Sequence, residues 1–412
     1  MDTGDTAFMI IAAALVLVMT PGLAFFYGGL GRRKNVVNIM MSSVFVMGLA
    51  SVMWVLFGYT LAFGGDFGGV IGTFKHFALI GIAPETASEY APGIPAYVFV
   101  VFQMMFAIIT PALITGAVAG RMKFKALFIF IALWSVVVYY PMAHMVWGKG
   151  GLLGESGLGS VDFAGGNVVH ISAGVTGFIL CMVLGRRKGY EAINYHPHNL
   201  PFIVLGMGIL WFGWFGFNAG SALGANGLAA NAFLTTGVSA AAAMLSWMLL
   251  DVIIGKKPTL IGACTGAVVG LVAITPGAGF VPVWAALIFG LLVSPTCYFS
   301  VSLIKKKLKI DDSLDAFGCH GIGGILGGIL TGIFADPGIN GAKGLIFGGW
   351  ELLGAQIASI LITIVIAVAG TFICIGITRL FTKLRVEKRD ELIGLDLSEH
   401  GETAYPAFNG LD

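Results

Sequence analysis

Charged residues are scarce in this chain. Of its 412 residues only 11% are charged and 57% are hydrophobic, and the mean hydropathy is +0.92. A soluble protein of this length carries roughly a quarter of charged residues. The composition therefore indicates a polytopic membrane protein with no room for a separate soluble domain. The net charge of +2 comes from short loop clusters rather than a basic face, so it does not point to nucleic acid as a partner.

Cysteine is also rare, and its placement argues against two kinds of site. The five cysteines stand singly in apolar stretches, without the Cys-x-x-Cys spacing of a metal site, and their odd number argues against a disulfide framework. We interpret them as small core residues. They are Cys181, Cys264, Cys297, Cys319 and Cys374.

What the chain has in abundance is long apolar runs. Runs of about 20 residues or more are long enough to cross a bilayer. The N-terminus, Met-Asp-Thr-Gly-Asp, lacks the basic region of a secretory signal, so we expect the first run to remain as a span. The pattern predicts eleven spans, at about 7–30, 36–63, 95–119, 126–147, 167–184, 200–222, 228–254, 259–275, 283–304, 314–334 and 350–381.

The basic residues predict how these spans are oriented. With the N-terminus outside, the inner connections and the tail hold all of the 23 Lys and Arg except Lys75, Lys149 and Lys343. Membrane proteins concentrate basic residues on the cytoplasmic side, and one missed span would invert everything after it. We therefore expect an odd number of helices, an outside N-terminus and a cytoplasmic C-terminus, in the cell (plasma) membrane.

Two histidines, His170 and His320, lie inside apolar sequence in the fifth and tenth spans. Each follows an aspartate by eight residues, after Asp162 and Asp312 respectively. Five is an odd number, so two five-helix halves with matching histidines must lie upside down relative to each other, with a functional site where they meet. At ~1.5 Å of rise per residue, each ring reaches roughly 12 Å into a ~30 Å core from its own side.

The predicted fold is thus an all-α polytopic membrane protein with an inverted five-plus-five repeat and one extra C-terminal helix. The first half spans 1–184 and the inverted second half spans 200–334. The peripheral eleventh helix covers 350–381, and a cytoplasmic tail covers 382–412.

An ionisable residue inside the membrane is costly and generally functional. Two rings in contact are not expected to be charged together, because like charges in a dry site repel, so one shared proton is the expected state. The alternative is two unrelated histidines, each hydrogen-bonded in the core. A metal site is disfavoured because no Asp, Glu or Cys stands at ligand spacing with both rings. An enzyme is disfavoured because Asp251 and Glu351 lie near span ends, away from any midspan nucleophile, and we expect no cofactor.

Aromatic residues gather near the predicted outer ends of the spans. Trp147 ends the fourth span, Phe106 lies in the third, and Phe217 stands four residues before Ser221 on one helix face. Aromatic faces bind cations, worth ~0.5–2 kcal/mol when partly desolvated, and a hydroxyl could complete such a site. The alternative for a Trp at a span end is the interfacial aromatic belt. Asp162 is expected to act as the N-cap of the fifth span, which contributes about 1 kcal/mol.

These stretches resemble the ammonium transporter family (Amt/Mep/Rh), and the resemblance runs through nearly the whole chain in the family's order. The matching motifs are FFYGGL (25–30), AHMVWG (143–148), DFAGGNVVHISAG (162–174), PHNLP (197–201), GWFGFNAGSA (213–222), DDSLDAFGCHGIGGI (311–325) and GLDLSEHGETAY (394–405).

The resemblance implies a homotrimer of eleven-helix protomers, each with its own pore for ammonium and ammonia. It implies an outer recruitment site made by Trp147, Ser221 and Phe106 and supported by Asp162. It implies that Phe106 and Phe217 stack below this site as a gate.

The resemblance further implies that His170 and His320 are twin histidines lining a narrow apolar pore. It also implies a PII-type regulatory protein as a partner at the inner loops and tail. One position departs from many relatives, since Gly120 stands where they carry Glu beside an arginine, which affects contacts of the inner loop rather than the pore.

Binding ammonium outside, removing its proton and conducting neutral ammonia would avoid the cost of taking a charge through an apolar pore, up to ~20 kcal/mol in the idealised limit. Two alternatives remain at this point. One is an ammonium sensor that signals through its loops and tail, which the short tail without a fused domain disfavours. The other is an unrelated channel for a small solute such as urea.

Overall fold

The computed structural model describes residues 1–190 and 196–405 and contains only helices and loops in that part of the chain. Within these described residues, ten helices are long and apolar enough to cross a membrane, and a shorter apolar one completes the set of eleven. They are α1 (Thr3–Leu30), α2 (Arg33–Phe63), α3 (Ala96–Val118), α4 (Phe124–Trp147), α5 (Gly166–Leu184), α6 (Leu200–Gly220), α7 (Gly227–Gly255), α8 (Leu260–Ile274), α9 (Val283–Lys307), α10 (Phe317–Phe334) and α11 (Trp350–Phe381).

The predicted spans coincide with these helices to within a few residues. The first helix begins earlier than predicted because the Asp2 side chain accepts a hydrogen bond from the Asp5 amide at 2.8 Å and starts the helix at Thr3. The tenth begins later, at Phe317, because the residues before it form the capping loop of Asp312. The predicted tail, 382–412, is described as far as residue 405, and its last residues lie outside the described part.

Both histidine-bearing helices begin with the same device. Asp162 accepts hydrogen bonds from the amides of Gly165, Gly166 and Asn167 at 2.9, 2.5 and 2.8 Å. Asp312 likewise accepts hydrogen bonds from the first amides of α10. In each helix the first turn is π-helical and contains the histidine, within Gly166–Ile171 and Phe317–Gly321. π-helical turns are rare and often mark functional sites. The shared arrangement supports the predicted inverted repeat, which stays a prediction.

The two histidine helices meet at a pair of glycines. A Cβ on Gly174 of α5 would lie 2.4 Å from the Gly321 amide nitrogen and 2.6 Å from its Cα. Small residues allow such close approach between helices in lipid. Since Gly321 directly follows His320, this contact determines how far apart the two rings lie.

The loops on the predicted cytoplasmic side are joined by a buried ion cluster. Asp311 receives two hydrogen bonds from the Arg187 guanidinium, to Oδ2 at 2.8 Å and to Oδ1 at 2.7 Å. Arg121, whose side chain is fully buried, contacts Asp311 Oδ2 at 3.4 Å and donates to the Asp311 carbonyl at 2.6 Å. Burial alone would raise the pKa of Asp311, but Arg187 and Arg121 hold it below its ordinary value.

The described part of the tail packs against these inner loops. Asp396 accepts a hydrogen bond from the Asn38 amide at 2.9 Å, and Glu399 accepts one from the Phe124 amide at 2.8 Å. Gly120 has φ +78°, and a Cβ there would lie 2.8 Å from Asn35 Nδ2, so a glutamate at this position would be strained. The tail contacts are instead made by carboxylates of the tail itself.

Gly174→Ala is expected to push α5 and α10 apart and to lower the stability of the folded protein. An added methyl in a close-packed interior typically costs ~1–3 kcal/mol. The melting temperature of the purified protein measures the effect. Gly376→Ala in α11 is the matched control, because a Cβ there meets no atom within 4 Å. Equal melting temperatures for the two variants would contradict the close contact.

Asp311→Asn should lower the stability at neutral pH by about 3 kcal/mol, because the buried Arg121 loses its counter-charge. A carboxyl with a lowered pKa stabilises the fold above its unfolded-state pKa, and this contribution disappears as pH falls through the folded-state value. The difference in melting temperature between wild type and variant should therefore shrink as pH falls below about 4.

Glu387→Gln is the control for this experiment. Glu387 and its partner Lys383 are exposed, with side chains 62% and 78% accessible, and such a pair contributes little. A pH-independent difference between wild type and Asp311→Asn would show that the ion cluster is not its cause.

Candidate functional site

The structure brings the predicted outer residues together around one cavity. Trp147, Phe106 and Ser221 all line a cavity of about 360 Å³ at the ends of α3, α4 and α6. The wall also carries two side chains of opposite charge, Lys149 and Glu155. The rest of the lining consists of Phe63, Tyr90, Phe99, Gln103, Val146, Gly148, Ser156, Phe163 and Leu223.

The aromatic rings in this cavity have a defined arrangement. The Trp147 indole stands edge-on to Phe106, with ring centroids 5.6 Å apart and an interplanar angle of 83°. Its Nε1 donates a hydrogen bond to the Asp162 carbonyl at 2.8 Å. The Ser221 hydroxyl donates to the Phe217 carbonyl at 2.9 Å, so its remaining lone pairs can accept from a ligand. Two aromatic faces with a free acceptor suit a small cation that can donate hydrogen bonds.

Asp162 holds the start of α5 and the Trp147 ring in place without lining this cavity. Its side chain is only 7% exposed, and its carboxylate oxygens are occupied by the amides that open α5. Its carbonyl holds the Trp147 indole. The carboxylate therefore fixes the start of α5 and the position of the tryptophan rather than facing the cavity.

A pair of stacked rings separates this cavity from the space below. Phe106 and Phe217 lie 4.3 Å apart between centroids with an interplanar angle of 22°. Phe106 lines the outer cavity, whereas Phe217 lines an inner space of about 10 Å³. That volume accommodates about one water-sized molecule.

The inner space contains both histidines. His170 Nδ1 and His320 Nδ1 face each other at 3.3 Å, and the rings lie nearly parallel, with centroids 5.3 Å apart and an angle of 19°. Both side chains are buried, and His170 Nε2 has no hydrogen-bond partner among the described residues. Two nitrogens at this distance form a hydrogen bond only when one carries a proton and the other does not. The free Nε2 leaves one polar atom available to a passing molecule.

The walls of this inner space are otherwise almost entirely apolar. Trp214 contributes the one further polar side chain of the lining, but its indole nitrogen donates to Thr275 Oγ1 at 2.9 Å. The remaining lining residues are Met19, Leu23, Phe26, Ile109, Leu113, Val169, Leu210 and Val268.

Sequence reasoning missed two features of the site. Trp214 stacks on His170, with centroids 5.4 Å apart and an angle of 19°, and so fixes the plane of that ring. Its position three residues before Phe217 was the available signal. The second is His144, which contacts Asp66 Oδ1 through Nε2 at 2.9 Å. Nothing in the spacing of Asp66 and His144 indicated this contact.

Within residues 1–190 and 196–405, no three His, Cys, Asp or Glu side chains are grouped so that they could hold a metal ion. Cys319, which adjoins His320 in sequence, packs with Cys297 in a second apolar cluster. The histidine pair therefore has no additional metal ligand in the described structure.

The fold and the site together define a multi-pass membrane protein with a small, largely apolar inner space that contains two histidines. A profile of the Ammonium Transporter Family matches residues 7–405. An ammonium transporter of Bacillus subtilis (strain 168) is 49% identical over 407 residues, covering 98% of this chain and 99% of the relative. This chain belongs to the ammonium transporter family.

Solved structures agree with this assignment. The crystal structure of Saccharomyces cerevisiae Mep2 is 35% identical and superposes with a TM-score of 0.87, covering 94% of this chain and 91% of that one. A structure titled "Sensor Amt Protein" is 28% identical with a TM-score of 0.88, covering 96% and 98%.

Asp162→Asn should weaken both the cap of α5 and the outer cavity. An amide has only one oxygen, and its NH₂ group would face backbone donors, so a stability loss of ~1 kcal/mol or more is expected. Ammonium uptake should also fall, because a weakened cap shifts the backbone carbonyl of residue 162 that accepts from Trp147. Melting temperature and uptake in liposomes measure the two effects.

Asp2→Asn is the matched control, since Asp2 caps α1 at an exposed helix end where asparagine is an equally good cap. It should change stability by less than about 0.5 kcal/mol. An Asp162→Asn variant that behaves like this control would contradict the role given to the carboxylate.

Proposed function

We propose that this protein transports ammonium by binding the cation in the outer cavity, removing one proton, and passing ammonia between His170 and His320. The observation that carries this proposal is the pair of facing Nδ1 atoms, 3.3 Å apart in a narrow and otherwise apolar space. Trp147, Phe106 and Ser221 would hold the cation, and the Phe106–Phe217 stack would act as the gate below it.

The energetics favour binding the cation in the outer cavity and passing only neutral ammonia through the apolar space. Moving a monovalent ion into a low-dielectric interior costs up to ~20 kcal/mol in the idealised limit, whereas neutral ammonia avoids most of that cost. In the outer cavity, aromatic faces and the Ser221 hydroxyl can compensate part of the cation's lost hydration. A potassium ion could bind in the same outer cavity, but it has no proton to lose. It would therefore keep its charge, and the apolar passage would reject it.

The histidine pair would provide polarity without a fixed charge. Ammonia has three donor hydrogens and one lone pair, and a ring nitrogen can act as donor or acceptor depending on its tautomer. The pair can therefore hydrogen-bond a neutral molecule in transit and can relay the proton that ammonium leaves behind.

The family assignment and the charge pattern support further features of the proposal. We expect a homotrimer in the cell membrane, with the N-terminus outside and the basic inner loops and tail in the cytoplasm. We also expect a PII-type regulatory protein to dock on that inner surface. Large exposed apolar side chains along α1 and α6, such as Ile11 and Phe212 at 60% and 58% exposure, are compatible with burial against lipid or a neighbouring protomer.

A second candidate is an ammonium sensor that signals through the tail. Two observations favour it. One is the similarity to the structure titled as a sensor. The other is that the tail carboxylates Asp396 and Glu399 accept hydrogen bonds from backbone amides near the starts of α2 and α4. Ammonium-dependent uptake by the purified protein without cytosolic partners would argue for transport instead.

The double variant His170→Ala, His320→Ala tests the passage. Removing both rings eliminates the hydrogen bonds available to a neutral molecule in transit, each worth about 1 kcal/mol, so ammonium uptake should fall about tenfold or lose its selectivity over potassium. Ammonium-evoked current and uptake in liposomes are the measurements.

His196→Ala, in an exposed stretch of the inner loop, is the control and should behave as wild type. Unchanged ammonium transport and selectivity in the double variant would rule out the proposed role of the pair. Inhibition of wild-type uptake by urea but not by methylammonium would favour a different solute altogether.

A further inference from the structure

His144 lies fully buried in the last turn of α4, three residues before Trp147. Each of its ring nitrogens lies 2.9 Å from an oxygen atom. Nδ1 contacts the carbonyl of Ala62, at the outer end of α2, and Nε2 contacts Asp66 Oδ1 in the following loop.

Counting protons shows what this arrangement requires. A backbone carbonyl only accepts hydrogen bonds, and so does an ionised carboxylate. A neutral imidazole has one N–H, so it could satisfy only one of the two oxygens. The His144–Asp66 pair must therefore hold one proton more than a neutral ring beside an ionised carboxylate.

The surroundings of Asp66 place that proton on the ring. Its Oδ1 also accepts a hydrogen bond from the Gly69 amide at 2.7 Å, which favours the ionised carboxylate. The hydrogen bond from His144 keeps the pKa of Asp66 below its ordinary value. The Asp66 side chain is 40% exposed, so this carboxylate is accessible to solvent.

This contact acts on the frame of the outer cavity. The His144 carbonyl accepts from the Gly148 amide at 2.8 Å, and the Gly69 carbonyl accepts from the Leu152 amide at 2.8 Å. The two outer loops are thereby joined on one side of Trp147, and Gly148 lines the cavity directly. On the opposite side the indole is held by Asp162.

We propose that His144 and Asp66 form a charged positioning pair that holds the Trp147 end of α4 in place and so sets the affinity of the outer cavity for ammonium. The effect on affinity rests on the proposed function, whereas the charged state of the pair does not.

The other titratable groups on the packed elements have different partners. Lys149 lies over the Tyr90 ring, 5.3 Å from its centroid, and the Tyr90 hydroxyl donates to the Phe63 carbonyl. His76 Nδ1 contacts the Ile80 carbonyl at 3.4 Å. Glu89 pairs with Lys75, and Glu155 lines the outer cavity.

Asp66→Asn separates charge from shape. The new amide can donate to Nε2 of a neutral ring whose Nδ1–H still reaches Ala62, so the contact with His144 survives without the extra proton, while the Gly69 amide loses the oxygen that accepts from it. In nitrogen-15 NMR of histidine-labelled protein in lipid, wild type should show a buried, doubly protonated ring at pH 7.5, and Asp66→Asn should lose that signal.

Methylammonium uptake in liposomes, expressed per concentration of the cation, gives the functional result. In Asp66→Asn the KM at pH 7 should rise about fivefold, the difference between a charge-assisted and a neutral hydrogen bond, with little change in kcat. Glu89→Gln removes a neighbouring outer carboxylate without touching α4, and should match wild type.

The outcomes are distinguishable. A singly protonated His144 ring in wild type at neutral pH overturns the charged pair, whatever the transport result. A charged pair with equal KM values in wild type and Asp66→Asn overturns its role in affinity. Absence of saturable uptake in wild type contradicts the proposed function, while the NMR result still decides the state of the pair.

Discussion

The structure depends on satisfying the backbone amides of two helices that begin deep in an apolar bundle. The first amides of a helix have no partner within it, and leaving them unbonded in a low-dielectric interior costs several kcal/mol. Asp162 and Asp312 supply these partners, each accepting from successive amides at the start of its helix. The same carboxylates fix the π-helical turns, and those turns carry the histidines.

From this constraint the arrangement of the site follows in steps. Fixed helix starts and the Gly174–Gly321 contact bring the two rings within hydrogen-bond distance. Trp214 limits the rotation of one ring by stacking on it. The Asp162 carbonyl holds Trp147, so the short segment that begins at Asp162 supports both the outer cavity and the histidine pair.

The sequence predicted most of the fold because the features that indicate it are patterns of residues close together along the chain. Apolar runs, basic loops and the aspartate eight residues before each histidine are patterns along the chain, and the helices appear where these patterns place them. The residues of the outer cavity and the stacked phenylalanines were expected from the family resemblance, and the structure brings them together. Their roles remain proposals.

What the sequence could not provide are contacts set by side-chain direction between distant segments. Asp66 and His144 stand 78 residues apart, and Trp214 stands 44 residues after His170. Neither pair has a characteristic spacing, since the contacts arise from how α2, α4, α5 and α6 pack. The departure at Gly120 likewise has a conformational reason, its positive φ, that composition alone does not reveal.

The near-parallel histidine rings have a consequence for the direction of flow. They present the same atom, Nδ1, to each other, and their helices start from aspartate caps of the same design. A molecule on the proposed path thus meets the same ring atom on both histidines, although His170 alone carries the Trp214 stack and the unpartnered Nε2 in the described structure. On this proposed path, net movement between the two rings follows the gradients on its two sides, and sustained import requires consumption within the cell.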